Sequence, residues 1–173
     1  MTAQHGQNSG MCIPCSVRQT ADKGLGIFAE AAVSKGSNIW RHRPGLYQVL
    51  DEKSLTKLLQ KGSREDAIDL LTHIISIEEF PGYMIRLHDE GALINHADQP
   101  NVIRAHRAID YRGPAVNTTE EVARALSDDH FRLVAVRDLA KGDELLMDYN
   151  IEPDDPEYYE QACRRYEVTW DWL

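Results

Sequence analysis

The amino-acid sequence predicts a single domain that is mainly β, with a helical insert and a C-terminal helix. Short apolar runs bounded by glycine and proline recur through most of the 173 residues, and such runs are typical of strands. Between residues 51 and 80 the apolar residues instead follow helical spacing. A second helical pattern begins near residue 154, where aromatic residues recur along one face. The length suits one domain with a single apolar core.

Strands are expected on both sides of the helical insert. Before it, the expected strands cover residues 13–18, 26–29, 38–40 and 46–50. After it, extended segments are expected at residues 83–87, 102–111, 131–137 and 145–147. The first of these alternates in side-chain character and ends at a turn over residues 89–91.

Two helices are expected within the insert. Leu55, Leu58 and Leu59 lie on one helical face, and Gly62 ends this first helix. Ser63 and Asp66 have the spacing of a capping box, which predicts the start of a second helix. We expect that helix to end at the Pro-Gly pair of residues 81–82. Its apolar stripe consists of Ala67, Leu70, Leu71, Ile74 and Ile75.

Two further helices are expected later in the chain. Thr118 and Glu121 have the spacing of another capping box, which opens a short helix to about residue 126. At residues 154–156 an aspartate cap followed by a first-turn proline opens the C-terminal helix. Tyr158 lies about 100° around this helix from its core-facing stripe. That stripe consists of Tyr159, Cys163, Tyr166 and Trp170.

Composition and charge limit the function classes. No run of about 18 apolar residues exists, so no membrane span is expected. Residues 1–10 lack a signal-peptide pattern and read as a flexible tail, which favours an intracellular protein, cytoplasmic or nuclear. The net charge of −9 argues against direct nucleic-acid binding. Such a surface either attracts a basic, lysine-rich protein segment or serves solubility alone.

The cysteines do not predict a metal site. Cys12 and Cys15 have half of a zinc-ligand spacing, and Cys163 could add a third thiolate. A fourth ligand would have to be a histidine such as His5, or come from another subunit. We therefore expect no metal, and ordinary small side chains at these positions.

Three short motifs are hard to explain by packing alone. The first is the pair Asn95-His96, followed four residues after His96 by the pair Pro100-Asn101. Neither Asn nor His is a typical core residue, and Pro-Asn is typical of turns. The second begins with a Gly-Asp turn at residues 142–143 and ends at Asp148-Tyr149. The third is a Gly-x-Gly turn at residues 24–26, with a Lys-Gly pair at residues 35–36 after it.

In this order and spacing, the motifs resemble the SET domain of protein lysine methyltransferases. The resemblance covers roughly residues 13–150 and is to a small member without cysteine-rich flanks. It implies a SET-type β-clip fold with knot-like threading, which is an exception to the usual rule for chain connections. The expected organisation is a SET domain at residues 11–150 and a C-terminal helical segment at 151–173 that closes the site. It also implies S-adenosylmethionine as cofactor and protein lysine as methyl acceptor.

The resemblance assigns roles to individual residues. Tyr149 matches the tyrosine that ends the lysine channel, with its hydroxyl near the transferred methyl group. Asn95 and His96 match the pair that holds the cofactor. The loop of Gly24, Leu25 and Gly26 matches the one whose backbone holds the methionine part, because glycine allows close approach. Tyr158, after Pro-Glu, matches an aromatic residue that stacks on adenine in members that lack zinc flanks.

Two departures leave the acceptor open. Arg43 lies nearest the place of a family tyrosine, and Arg104 lies where many members carry an aromatic residue. If the alignment shifts slightly, Trp40 or Tyr47 forms the channel wall instead. Arginines that point to solvent leave lysine as the acceptor, whereas arginines in the channel repel a cation and favour an anionic small molecule. A non-catalytic binding module of this fold is the remaining alternative.

Overall fold

The computed structural model describes residues 9–105, 115–127, 131–149 and 155–168. The strands in these parts are β1 (Cys15–Gln19), β2 (Leu25–Ala29), β3 (Asn38–Arg41), β4 (Tyr47–Leu50), β5 (Ile74–Ser76), β6 (Met84–Leu87), β7 (Asn95–His96), β8 (Val102–Arg104), β9 (Arg132–Ala135) and β10 (Leu146–Met147). The α-helices are α1 (Glu52–Leu59), α2 (Arg64–Thr72), α3 (Thr119–Leu126) and α4 (Glu157–Tyr166), and a 3₁₀ helix spans Glu90–Leu93.

The strands form several small sheets instead of one large one. β1 and β2 make an antiparallel hairpin, and β3, β9 and β8 make an antiparallel sheet in that order. β4, β6 and β5 make a second three-stranded antiparallel sheet. β7 and β10 pair in parallel. The prediction of a mainly β domain with a helical insert and a C-terminal helix is confirmed.

Apolar side chains pack in three clusters. The first joins the β1–β2 hairpin to the β3–β9–β8 sheet and includes Ile27, Ile39, Trp40, Val102 and Leu145. The second lies among α1, α2 and α4 and includes Leu50, Leu55, Leu71, Tyr159 and Cys163. The third lies beneath α3 and includes Phe80, Ile85, Val122, Leu126 and Phe131. The expected core role of Tyr159 and Cys163 is therefore confirmed, whereas Trp170 lies outside the described residues.

Local capping fixes where the insert helices begin. Asp51 accepts a hydrogen bond from the Ser54 backbone at 2.8 Å, and the Ser54 hydroxyl accepts one from the Asp51 backbone at 2.9 Å. Ser63 and Asp66 make the same reciprocal pair at 3.1 and 2.9 Å. Each pair satisfies backbone donors that a helix end leaves open. The predicted start of the second helix at Ser63 is confirmed.

The predicted end of that helix is wrong. α2 ends at Thr72, and residues 74–76 form β5 instead of a last helical turn. The Thr72 hydroxyl donates to the Ile68 and Asp69 carbonyls, which are among the last in the helix. The β-branched residues that follow pair with β6, with Ile75 opposite Ile85. Ile74 and Ile75 fit both patterns, and tertiary strand pairing decides between them.

Two caps also differ from expectation. Pro156 is itself the N-cap of α4, so the helix begins at Glu157 and the proline is not in its first turn. At α3, Thr118 accepts from the Glu121 backbone at 3.2 Å, but the Glu121 carboxylate accepts from the Asn117 backbone at 2.8 Å instead of that of Thr118. The capping box predicted there is therefore only half formed.

The N-terminal segment is already packed where the described residues begin. Ser9 is 6% exposed, and the Gly10 backbone N–H donates to Asp89 Oδ2 at 2.6 Å. The remainder of the tail predicted at residues 1–10 lies outside the described residues, as does most of the extended segment predicted at 102–111. The knot-like threading stays a prediction. Among the described residues, no helix has the length and apolar character needed to cross a membrane.

Candidate functional site

The first two motifs lie side by side because β7 and β10 pair. Asn95 lies opposite Leu146 and His96 opposite Met147, in parallel register. Each strand is only two residues long, so the backbone pairing alone is a weak connection. Side chains must therefore contribute to holding these segments together.

Asn101 supplies that connection. Its Nδ2 donates to the Glu144 carbonyl at 2.7 Å, and its Oδ1 accepts from the Leu146 backbone at 2.9 Å. Its own backbone N–H donates to the Leu146 carbonyl at 3.0 Å. Asn101 is 2% exposed, so these groups have little access to water as alternative partners. The Pro-Asn part of the first motif thus fixes the start of β10.

All three motifs meet at Asn95. Its Nδ2 donates to the Leu25 carbonyl at 3.0 Å and to Glu144 Oε1 at 2.8 Å. A Cβ on Gly26 would lie 2.5 Å from that Glu144 oxygen and 2.9 Å from Asn95 Nδ2. Only glycine fits at position 26 without moving this contact. The two donations also fix the amide orientation, and Asn95 Oδ1 accepts no hydrogen bond from any described residue.

A lysine connects the glycine loop to the first motif. Gly24 has φ of +74°, a conformation that glycine adopts readily, and its carbonyl accepts from the Thr20 backbone at 2.7 Å. This tight turn places Lys23 so that its Nζ donates to the His96 carbonyl at 2.7 Å. The contact is exposed, so it contributes little to stability, but it spans the two segments.

Tyr149 is held at both its backbone and its hydroxyl. The hydroxyl donates to the Ile94 carbonyl, and the backbone N–H donates to His96 Nδ1 at 3.1 Å. Because Nδ1 accepts that bond, the neutral imidazole carries its proton on Nε2. Nε2 lies 3.5 Å from an Asp98 oxygen, and Nδ1 lies 3.8 Å from an Asp148 oxygen. The first motif therefore orients the last residue of the second.

The candidate channel aromatics have other polar partners. Trp40 is 4% exposed, and its Nε1 donates to Asp89 Oδ2 at 2.9 Å. The Tyr47 hydroxyl contacts the Ala123 carbonyl and lies 3.0 Å from Ser127 Oγ. Each ring is thus anchored by its polar atom to a neighbouring element, and within the described residues neither ring forms a hydrogen bond or ring contact with Tyr149.

Neither candidate arginine extends freely into solvent. Arg104 Nη1 lies 3.1 Å from Glu79 Oε2, and the Glu79 side chain is 1% exposed. Arg43 is half-buried, and its Nε is buried without a hydrogen-bond acceptor among the described residues. His42, which precedes Arg43 in the sequence, is 8% exposed. Burial, helped by the Arg104 charge, lowers the pKa of His42 to about 3.

Tyr158 packs against the insert. Its ring contacts the second apolar cluster, and its hydroxyl donates to the Gly82 carbonyl at 3.1 Å. Burial raises the pKa of Tyr158 above its usual range, with the Asp51 and Glu52 charges adding to the effect. Within the described residues, these contacts join Tyr158 to the insert and to the turn that follows it, and not to Asn95 or the glycine loop.

The cysteines are separated in the fold. Cys12 is exposed, Cys15 is half-buried in β1, and Cys163 is buried in α4. Burial, with the nearby Glu90 charge, raises the pKa of Cys15 to about 11, which disfavours the thiolate that metals bind. In the part of the chain that the structure describes, no group of three or more His, Cys, Asp or Glu side chains could hold a metal ion.

Sequence reasoning missed two contributors to this arrangement. Glu144 lies inside the second motif, and its carboxylate orientation toward Asn95 could have been suspected from that position. Asp89 offered no local pattern, because its partners Gly10 and Trp40 are far away in the sequence.

The small sheets joined at β7 and β10 have a SET-type architecture. A sequence model of the SET domain matches residues 24–150, which is more than half of the chain, and the protein therefore belongs to the SET-domain family. A search of curated proteins finds no match.

Many solved structures match this fold, among them the following two. One is DIM-5 of Neurospora, a SET domain protein described as a histone lysine methyltransferase, with a TM-score of 0.52 and 17% identity over 84% of this chain and 55% of that one. The other is a chain of apo ctPRC2 with mutations in Ezh2, with a TM-score of 0.54 and 16% identity over 86% of this chain and 16% of that one. The chain thus spans about half of the DIM-5 structure and less of the other. At these identities the likeness concerns the fold alone.

Proposed function

We propose that this SET-domain chain is an S-adenosylmethionine-dependent methyltransferase whose acceptor is a protein lysine. One observation carries the proposal: Asn95, the Gly24–Gly26 loop and the second motif meet through hydrogen bonds, and Tyr149 is oriented by the same segment. The intact Asn95, His96 and Gly24–Gly26 loop, together with the oriented Tyr149, argue against the non-catalytic alternative.

The residues around Asn95 fit this cofactor. Gly26 keeps the space beside Asn95 and Glu144 free of a side chain, and Gly24 has open space where a Cβ would lie. Asn95 Oδ1 is oriented but accepts nothing from the described residues, so it can accept from an ammonium group such as that of the methionine part. We propose that Asn95, His96 and the Gly24–Gly26 loop hold the cofactor.

The proposed chemistry needs orientation more than acid–base catalysis. S-adenosylmethionine, when bound, supplies a methyl group on a sulfonium, and an attacking lone pair must lie in line with the bond that breaks. The Tyr149 hydroxyl donates to the Ile94 carbonyl, and the oxygen of a donating hydroxyl can in turn accept an N–H of the acceptor amine. Lysine must also be neutral, which costs about 4.6 kcal/mol at pH 7 from a pKa of 10.4 in water.

The protein partner is proposed from charge. A net charge of −9 attracts a basic, lysine-rich segment and predicts rates that fall with ionic strength.

A second acceptor class is favoured by one observation. Arg43 is half-buried and its Nε meets no acceptor among the described residues. If this side chain faces the acceptor, an anionic small molecule suits it better than a peptide lysine. Methyl transfer to a carboxylate-bearing amine, with none to lysine-rich proteins, would favour this alternative.

Calorimetric titration tests the cofactor proposal. S-adenosylmethionine and S-adenosylhomocysteine should each bind one site per chain, and Asn95→Ala should weaken binding by at least about 1 kcal/mol, the scale of one buried hydrogen bond. Asn117→Ala is the matched control, since Asn117 is exposed and its recorded hydrogen bond uses only the backbone. No binding of either compound at millimolar concentration would refute the proposal.

Radiolabel transfer tests the acceptor and Tyr149. Incubation with methyl-labelled S-adenosylmethionine and a histone mixture should label lysine. Tyr149→Phe should lower turnover by about 10²-fold, the range for a positioned polar group in a transition state. A fully active variant would show that Tyr149 takes no part in the chemistry. Label found only on other residue types would exclude lysine as the acceptor.

A further inference from the structure

The indole of Trp40 is held in a slot that two glycines leave open. Trp40 is 4% exposed, and its Nε1 donates to Asp89 Oδ2 at 2.9 Å. A Cβ on Gly10 would lie 2.4 Å from Nε1, and a Cβ on Gly91 would lie 2.5 Å from it. Real Cβ contacts are longer than this, so neither position accepts a side chain unless the indole moves. The two glycines therefore confine the donor atom of Trp40 from two segments of the chain.

Asp89 connects that slot to the 3₁₀ helix at Glu90–Leu93. Its Oδ2 also accepts from the Gly10 backbone at 2.6 Å, and its Oδ1 accepts from the Gly91 backbone at 3.2 Å. Asp89 is the N-cap residue of the helix, and its backbone carbonyl accepts from the Ala92 backbone N–H at 3.2 Å. Hydrogen bonds to an ionised carboxylate are stronger than neutral ones. The carboxylate thus fixes the start of the helix against Trp40.

The other end of the same helix meets Tyr149. Ile94 follows the 3₁₀ helix as its C-cap, is 4% exposed, and donates from its backbone to the Gly91 carbonyl at 3.4 Å. Its carbonyl accepts the Tyr149 hydroxyl. From Asp89 to Ile94 the chain advances by about 10 Å at the rise of a 3₁₀ helix. A single short, capped element therefore joins the indole slot to the hydroxyl proposed to act in methyl transfer.

We propose that Trp40 and Asp89 are positioning residues, which set the orientation of the Tyr149 hydroxyl through this helix. The inference rests on the proposed role of Tyr149. Trp40 then serves the reaction from the buried side of the fold and does not line the acceptor channel. Small displacements of a reacting or orienting group have large effects on rate, so a loosened helix should lower turnover without changing cofactor affinity.

A double-mutant cycle separates positioning from general destabilisation. Trp40→Phe keeps an aromatic ring but removes the donor to Asp89, and we expect kcat to fall about tenfold with an unchanged cofactor Kd. In a Tyr149→Phe background the same substitution should change kcat by less than about twofold, because the hydroxyl it positions is absent. Asp89→Asn keeps an acceptor oxygen for Trp40 and should give a smaller loss in the same direction.

The hydroxyl can also be observed without any substrate. In protein labelled with ¹³C at the tyrosine ζ-carbon, Tyr149→Phe assigns the Tyr149 resonance by its disappearance. Trp40→Phe and Asp89→Asn should each shift that resonance, because the hydrogen bond to Ile94 changes. A parent protein that transfers no methyl group would refute the proposed function, while this spectrum would still decide the present inference.

Tyr159→Phe is the matched control. It removes another buried hydrogen bond, from the Tyr159 hydroxyl to the Leu71 carbonyl at 2.8 Å, in a different apolar cluster. It should lower Tm yet leave kcat and the Tyr149 resonance as in the parent. The proposal is overturned if both Trp40 and Asp89 variants leave the Tyr149 resonance in place, or if the effects of Trp40→Phe and Tyr149→Phe on kcat multiply independently.

Discussion

Around Asn95, segments that are distant in the sequence meet through side-chain hydrogen bonds, whereas the insert between residues 51 and 80 is built from near neighbours. Asn101 contacts the backbone of β10 across more than 40 residues, and the strands it joins have two residues each. In the insert, Asp51 and Ser63 cap helices through residues three positions away. Those helices then pack by their apolar faces against α4.

This difference has a consequence for stability. Apolar packing can relax around a changed side chain, so its loss is graded. A buried polar group whose partner is removed keeps its full desolvation penalty, because no neighbour can replace the bond. We therefore expect the Asn95 region to be far less tolerant of single substitutions than the insert, although it contains less regular structure.

Asn101→Ala should have the largest effect on stability. It leaves the Glu144 carbonyl and the Leu146 N–H without their partners in a region where Asn101 is 2% exposed. With two buried groups unsatisfied, the free energy of unfolding should fall by about 3 kcal/mol, measured by urea denaturation. The same substitution at the exposed Asn117 should change it by less than about 0.5 kcal/mol. Equal losses at both sites would mean that the loss at Asn101 does not come from its buried hydrogen bonds.

Substitutions of Tyr158 test whether α4 only packs against the insert or also contributes to the cofactor site. Its hydroxyl bond to Gly82 and its packing in the second cluster predict that Tyr158→Ala lowers the free energy of unfolding by about 2 kcal/mol. If the ring also stacks on adenine, as the sequence predicts, Tyr158→Ala should weaken S-adenosylhomocysteine binding while Tyr158→Trp retains it. A stability loss with unchanged affinity would assign Tyr158 to packing alone.

His42 should make the protein sensitive to acid. Burial and the Arg104 charge lower its pKa to about 3 from the usual 6.5 of a histidine, so between these values the unfolded chain binds a proton that the folded chain does not. Stability from this group is complete above about pH 6.5 and is lost as the pH falls toward 3, by up to about 1.4 kcal/mol per pH unit.

His42→Phe tests this dependence. The new ring can still pack between Trp40 and Tyr47, whose rings now lie 4.5 and 4.9 Å from that of His42, but it cannot titrate. The slope of unfolding free energy against pH between 4 and 6 should therefore decrease by about 1 kcal/mol per pH unit. Equal slopes in the parent and His42→Phe would contradict the prediction.

The insert and the proximity of the motifs were predicted from different kinds of sequence information. Capping at Ser63 is local, so it is readable from residues three apart. The proximity of Asn95 and Gly26 followed from a family resemblance, since no local pattern links them, whereas the contact of Glu144 with Asn95 was not predicted. The end of α2 was not readable, because the isoleucines at 74 and 75 suit a helix stripe and a strand equally until β6 pairs with them.

Side-chain directions were also beyond the sequence. Arg104 was expected either in solvent or in a channel, but it pairs with Glu79, a carboxylate that the fold buries from a distant segment. The contacts of Asp89 were equally unpredictable, because its bonds to Gly10 and Trp40 depend on how three separated segments come together. Such pairings are tertiary, and propensity or spacing along the chain carries no information about them.

The smallest effect is expected at a local cap. Ser63→Ala removes the hydroxyl that accepts from the Asp66 backbone at 3.1 Å, and the exposed N–H can bond to water instead. The free energy of unfolding should fall by about 1 kcal/mol, with no change in S-adenosylhomocysteine affinity. Ser34→Ala, at an exposed serine whose recorded bond uses only its carbonyl, should have almost no effect. If Ser63→Ala were as destabilising as Asn101→Ala, local capping would matter as much as the long-range contacts, and the two regions would not differ in the way proposed.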